Sequence, residues 1–154
     1  MANPAPVRIG EHTVGAGRTL FVIAGPCVLE DPEEMLQTAE SLAETCDDLG
    51  LGFCFKSSFT KDNRTSTGSY RGPGLDEGLR LLDDIGTRVG VPVLTDIHHP
   101  EEADAVAQVA EVLQIPAFMC RQTSLLEAAG RTGRVVNVKK GQFLAAADMG
   151  HAAD

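Results

Sequence analysis

Four basic side chains crowd one stretch of an otherwise acidic chain. Residues 56–66 read Lys-Ser-Ser-Phe-Thr-Lys-Asp-Asn-Arg-Thr-Ser, and with Arg71 they set Lys56, Lys61 and Arg64 against a single acid, Asp62. The protein as a whole carries a net charge of −9. Ammonium and guanidinium groups interleaved with hydroxyls and an amide suit charge-assisted hydrogen bonds to phosphate or carboxylate. The stretch directly follows the apolar run at 51–55, so it reads as an anion-binding loop at the end of a strand.

The balance of charge limits what that anion can be. With 22 acids against 13 bases and a pI near 4.8, the chain lacks the broad basic face that nucleic acid or an anionic membrane requires. The expected ligand is small and locally held. A second basic pair, Lys139 and Lys140, follows the apolar run at 135–138, and two phosphate or carboxylate groups could be gripped between the two clusters.

The other apolar runs also end in polar groups. Gly25-Pro26-Cys27 follows the first, Thr95-Asp96-Ile97-His98 the third, and Gln114 with Arg121 and Gln122 the fourth. Cys27 reads either as a metal ligand or, taken alone, as a small buried thiol. His98 and His99 could move protons, bind a ligand or serve structure, and His99 precedes Pro100 where it could cap a helix. No G-x-G-x-x-G spacing follows a strand, and Arg71-Gly72-Pro73-Gly74 reads as a turn that opens a helix.

Five strand-length runs, at 20–24, 51–55, 91–94, 112–115 and 135–138, alternate with helix-period segments. The clearest helix has Asp31 as N-cap, Pro32 at its first position, Glu33 and Glu34 in its first turn, and Met35, Leu36, Ala39, Leu42, Ala43, Cys46 and Leu49 on one face before Gly50. Others are expected from Leu75 to Gly90, over 100–109 and 124–130, and from Ala145 to Asp154. Residues 7–10 and 12–15 suggest a hairpin ahead of them. Strand alternating with helix predicts an α/β fold with a parallel sheet, doubly wound or a (β/α)₈ barrel, and in both the ligands gather at the carboxyl ends of the strands. Strand alternation puts Val135, Asn137 and Lys139 on one face and Cys54, Lys56 and Ser58 on one face. Lys56 and Lys139 are therefore expected to point into a barrel mouth.

The size and 43% apolar content suit one domain. Four cysteines without a C-x-x-C pair, no signal peptide and no membrane-length apolar run predict a cytoplasmic protein with free, mostly buried thiols.

Several motifs in one order resemble a known family. Residues 56–66, Ser69-Tyr70-Arg71-Gly72-Pro73-Gly74, Thr95-Asp96-Ile97-His98, Gln114-Ile115-Pro116-Ala117-Phe118, Arg121-Gln122-Thr123 and residues 137–143 are similar to the 3-deoxy-8-phosphooctulonate (Kdo8P) synthases. The resemblance implies a (β/α)₈ TIM barrel and a transferase that joins phosphoenolpyruvate, D-arabinose 5-phosphate and water into 3-deoxy-D-manno-octulosonate 8-phosphate and phosphate, for lipopolysaccharide synthesis. In such enzymes C3 of phosphoenolpyruvate attacks the aldehyde, water adds at C2, and phosphate leaves with C–O cleavage.

Carried across, the resemblance implies that Lys61 and Lys139 hold phosphoenolpyruvate, with Ser58 and the Ala117 backbone nearby. Asn63, Arg64 and Thr65 would bind the sugar phosphate, and Lys56, Asp96 and Gln114 would line the pocket. Lys139, Lys61 and Asp96 would carry the chemistry. The family is similar to homotetramers in which Arg121 lies near a neighbour's site. Cys27 resembles the metal-dependent class, which implies a divalent metal ion whose other ligands, a His, a Glu and an Asp, belong to a later part of the barrel. The resemblance ends near the fifth helix, so residues 1–154 are expected to be an incomplete barrel domain without the last three βα units, inactive alone. Two rivals are a 3-deoxy-7-phosphoheptulonate synthase, which has Lys-Pro-Arg where this chain has Lys61-Asp62-Asn63-Arg64, and a non-catalytic half-barrel that binds phosphorylated ligands.

Overall fold

A computed structural model describes residues 5–64 and 66–153. The chain opens with a small antiparallel hairpin, β1 (Val7–Ile9) and β2 (His12–Val14), turned at Gly10. Five parallel strands follow in chain order, β3 (Phe21–Ala24), β4 (Gly52–Lys56), β5 (Val93–Asp96), β6 (Val112–Ile115) and β7 (Val135–Val138). Each strand is hydrogen-bonded to the next one in the chain. Helices α1 (Pro32–Asp48), α2 (Leu75–Val89), α3 (Ala103–Val109) and α4 (Thr123–Arg131) connect them. The result is a curled parallel half-barrel of βα units, the α/β arrangement expected of a partial TIM barrel.

Alternation along the strands builds two apolar layers. Phe53, Phe55, Val93, Leu113 and Ile115 point outward and are buried against Leu36, Leu82, Ile85, Val106 and Leu125 of the helices. Cys54, Leu94 and Val112 point to the concave side, where Ile9 of the hairpin covers them with Val14, Phe21 and Val135 alongside. The hairpin thus stops the amino-terminal end of the half-barrel, and the concave face above it turns polar.

Local chemistry explains most element ends. Asp31 accepts hydrogen bonds from the Glu33 and Glu34 N–H groups, at 3.0 and 3.1 Å, and so caps α1. Gly86 sits inside α2 without ending it, at a place where a Cβ would lie 3.2 Å from Val93 Cγ1. The third strand begins at Val93 rather than Val91, since pairing with β4 starts where Phe55 N–H meets the Pro92 carbonyl at 3.0 Å, and it continues through Asp96. Leu49, expected on the buried face of α1, is its C-cap and 67% exposed. Residues 100–109 divide into a 3₁₀ turn at Pro100–Glu102 and α3, with the Glu102 carboxylate accepting from the His98 and His99 N–H groups at 2.7 and 3.1 Å. The alanine-rich end forms a 3₁₀ turn, Ala146–Met149, and a short helix α5, Gly150–Ala153, and Asp154 lies outside the described residues. No helix among them is long and apolar enough to cross a membrane.

Candidate active site

The carboxyl ends of β4 to β7 raise one side chain each onto the concave face. Lys56, Asp96, Gln114 and Asn137 occupy these positions, and register sets Asp96 opposite Gln114 and Gln114 opposite Asn137. Beyond the strands the ladder continues, with Ser57 N–H donating to the Leu94 carbonyl at 3.2 Å and Lys139 N–H to that of Ile115 at 3.0 Å. These bonds fix the directions in which Ser58 and Lys139 leave the sheet.

The strand-end side chains bond to one another. Ser58 Oγ donates to Asp96 Oδ2 at 2.6 Å, and Lys56 Nζ donates to Ser58 Oγ at 3.4 Å. Gln114 Nε2 donates to Asp96 Oδ1, and Asn137 Nδ2 donates to Gln114 Oε1 at 2.9 Å. Asp96 is therefore a buried carboxylate with both oxygens accepting, which meets the cost of placing a charge out of water.

Above this floor opens a cavity of about 590 Å³. Of the residues singled out in the sequence, Lys56, Lys61, Asn63 and Asp96 line it, as do Gln114, Ala117 and Lys139. Ser58 lies beneath, wholly buried. Burial lowers the Lys56 pKa from the usual lysine value, Lys61 and Lys139 push it the same way, and Asp96 and Cys27 oppose them. Three ammonium groups around one cavity make a site for a ligand with several negative charges.

The loop that carries Lys61 and Asn63 is tied at its base. Lys61 N–H donates to the Arg71 carbonyl at 2.7 Å, and the Arg71 guanidinium pairs with the Asp62 carboxylate. Gly72, at φ 108°, lies against the Phe59 carbonyl where a Cβ would be 2.3 Å away. At the end of β3 a Cβ on Gly25 would fall 2.1 Å from the Lys56 carbonyl oxygen. Both glycines allow backbone to approach backbone beside the cavity.

Other expected residues stand elsewhere. Arg64 is half-buried and outside the cavity lining, its N–H donating to the Asp62 carbonyl at 2.9 Å. Arg121 is exposed beside a separate cleft of about 370 Å³ with Cys120, Thr123 and His151. Thr65 lies outside the described residues. Cys27 is exposed and free, in place of the buried thiol that its lone position suggested, because it follows the close Gly25 turn on the open loop after β3. Cys46, Cys54 and Cys120 are buried. Among the described residues no three His, Cys, Asp or Glu side chains gather to hold a metal ion, so the described donors do not by themselves fit a divalent metal centre.

Sequence reasoning left several lining residues out of the site. Asp62, Phe118, Met119 and Gln142 line the cavity; the first two and Gln142 stand within the sequence motifs without an assigned role, and Met119 lies outside them. Phe118 is 62% exposed at the rim. His98, by contrast a candidate from the sequence, lines it too, buried, with its ring edge-on to Phe59 at 6.4 Å, and burial lowers its pKa.

This chain is similar to several curated proteins. It is 57% identical over 143 residues to a 2-dehydro-3-deoxyphosphooctonate aldolase of Synechococcus sp., covering 92% of this chain and 50% of the relative. A protein of the same name from Trichlorobacter lovleyi is 57% identical over 141 residues, covering 92% and 52%. One from Syntrophotalea carbinolica is 50% identical over 149 residues, covering 97% and 54%. The chain spans about half the length of the curated relatives it matches. A family profile described as the DAHP synthetase I family matches residues 5–154, and with that match extending over nearly the whole chain, the protein belongs to the DAHP synthetase I family.

Proposed function

We propose that this chain supplies the phosphoenolpyruvate and sugar-phosphate grip of a 3-deoxy-8-phosphooctulonate synthase. The observation that carries the reading is the meeting of Lys56, Lys61 and Lys139 around one cavity whose floor is Asp96 and Gln114. The relatives named for a dehydro-deoxy-octonate phosphate support it by their identities of 50–57%. The overall reaction is condensation of phosphoenolpyruvate with D-arabinose 5-phosphate and water, giving the eight-carbon acid phosphate and inorganic phosphate.

Each residue then has a physical task. Lys61 and Lys139 neutralise the phosphate and carboxylate of phosphoenolpyruvate, and Lys139 also faces the charge that develops as C3 attacks the aldehyde. Lys56, fixed by Ser58 and Asp96, holds its charge against the same ligand. Asn63, which lines the cavity, orients the sugar phosphate together with Arg64 and Thr65 of the same sequence motif. Asp96 and Gln114 hold the reacting ends in register, so that positioning supplies much of the acceleration.

The whole enzyme of this reading is an eight-unit barrel to which residues 1–154 contribute the hairpin and five βα units, assembled as a cytoplasmic homotetramer with Arg121 near a neighbouring site. Cys27 would be one donor of the divalent ion of the metal-dependent class, and among the described residues no group of three His, Cys, Asp or Glu side chains could hold that ion.

Thermal unfolding of the chain with and without phosphoenolpyruvate tests the grip. Saturation at one hundred times Kd adds about 2.7 kcal/mol to a folded binder, so Tm rises by several degrees. Adding arabinose 5-phosphate raises it further than erythrose 4-phosphate does. No rise with phosphoenolpyruvate refutes the reading, and a preference for the four-carbon sugar replaces it with a heptulosonate synthase.

A further inference from the structure

Asn137 lies at the far end of the hydrogen-bonded chain that crosses four strands, and the chain has a direction. A carboxylate only accepts, so Gln114 must face Asp96 with its amide NH₂. That leaves Gln114 Oε1 toward β7, where only a donor is accommodated, and Asn137 Nδ2 provides it at 2.9 Å. At the other end Ser58 spends its one proton on Asp96, at 2.6 Å, and therefore receives Lys56 Nζ on a lone pair. Every donor from Asn137 and Lys56 runs inward to Asp96.

We infer that Asn137 is a positioning residue that locks the amide orientation of Gln114, so that both oxygens of Asp96 stay engaged and the Asp96 charge stays in place beneath Lys56. Its consequence for ligand binding rests on the function proposed above. The hydrogen-bond direction itself does not. Asn137 is half-buried and absent from the cavity lining, so it acts through Gln114 rather than by contact with a ligand.

Reversing the direction tests this. Asn137→Asp turns a donor into an acceptor, and Gln114 can offer NH₂ to only one of the two carboxylates. One carboxylate then faces Oε1, and Tm falls. Asp96→Asn in the same chain lets the line beyond position 96 run the other way, with Ser58 still donating to the oxygen at position 96, the new NH₂ donating to a turned Gln114, and Gln114 donating to the carboxylate at position 137. The pair of substitutions keeps the charge of the floor and reverses only the order of donors.

The expected result, without any ligand, is a double variant at least ~3 °C more stable than the sum of the two single shifts. If Asn137→Asp alone fails to fold, recovery of a cooperative transition in the double variant supports the inference equally. Additive losses, or a double variant that also fails to fold, overturn it. Phosphoenolpyruvate titrated into the unsubstituted chain separates the two readings, since a missing ligand shift beside an intact rescue refutes the function and leaves the role of Asn137 standing.

Discussion

Gly78, in the first turn of α2, packs its Cα against Phe59, so that a Cβ there would lie 2.3 Å from the Phe59 Cβ. Phe59 is itself 1% exposed and holds the start of the loop that presents Lys61. Helix propensity alone favours Ala over Gly by about 1 kcal/mol. The contact reverses that sign. Gly78→Ala is expected to destabilise by about 1–3 kcal/mol as overpacking, measured by urea unfolding, and a gain in stability would show that Phe59 can move aside.

Lys56 gives the site an alkaline signature. Its pKa is lowered from 10.5, by burial first, so between its folded value and 10.5 the unfolded chain holds a proton that the folded chain has released. Stability therefore rises with pH across that window. A bound anion favours the ammonium form, so the phosphoenolpyruvate shift in Tm shrinks over the same range. Lys56→Met is expected to flatten both trends and to reduce the ligand shift at pH 7 at least twofold, as charge-assisted bonds of about 1.5–3 kcal/mol are lost. Unchanged pH profiles would assign the trends to other groups.

His98 acts on the acid side. Burial lowers its pKa from 6.5, while Asp96 and Glu102 work against the shift. As pH falls below 6.5 the unfolded state protonates first, and stability is lost down to the folded value. His98→Gln is expected to make the thermal midpoint less sensitive to pH in that interval, with a change of about 1 kcal/mol or less at pH 7. An equally steep acid loss in the variant would contradict this.

Thiol reactivity separates the cysteines. Cys27 is exposed while the other three are buried, and burial with the nearby Glu111 pushes the Cys54 pKa up to about 12. Because the thiolate is the reactive form, iodoacetamide at pH 8 should label Cys27 at least ~10-fold faster than Cys54 in the native chain. Phosphoenolpyruvate should slow that labelling if Cys27 borders the occupied site. Equal labelling of Cys54 before unfolding would mean that the hairpin plug opens readily.

The same plug illustrates why parts of the fold were legible. Asp31-Pro32-Glu33-Glu34 followed by a helix-period apolar stripe fixes α1 from local chemistry, and period-two alternation at 53–56 correctly put Cys54 and Lys56 on the face opposite Phe53 and Phe55. The third strand runs two residues further than the apolar pattern because Thr95 and Asp96 are polar yet paired with Leu113 and Gln114 of β6. Apolar pattern cannot see a polar residue whose burial is met by partners 18 residues away.

The sequence by itself determined the order of strands and helices, the two basic clusters and the strand face on which Lys56 stands, since these depend on residue type and on spacing within a few turns of chain. Only the tertiary structure decided that Lys56, Lys61 and Lys139 share one cavity while Arg64 and Arg121 do not line it, that Cys27 stays exposed, and that Asn137 reaches Asp96 through Gln114. Those relations depend on sheet register, which joins residues far apart in the chain through hydrogen bonds between neighbouring strands.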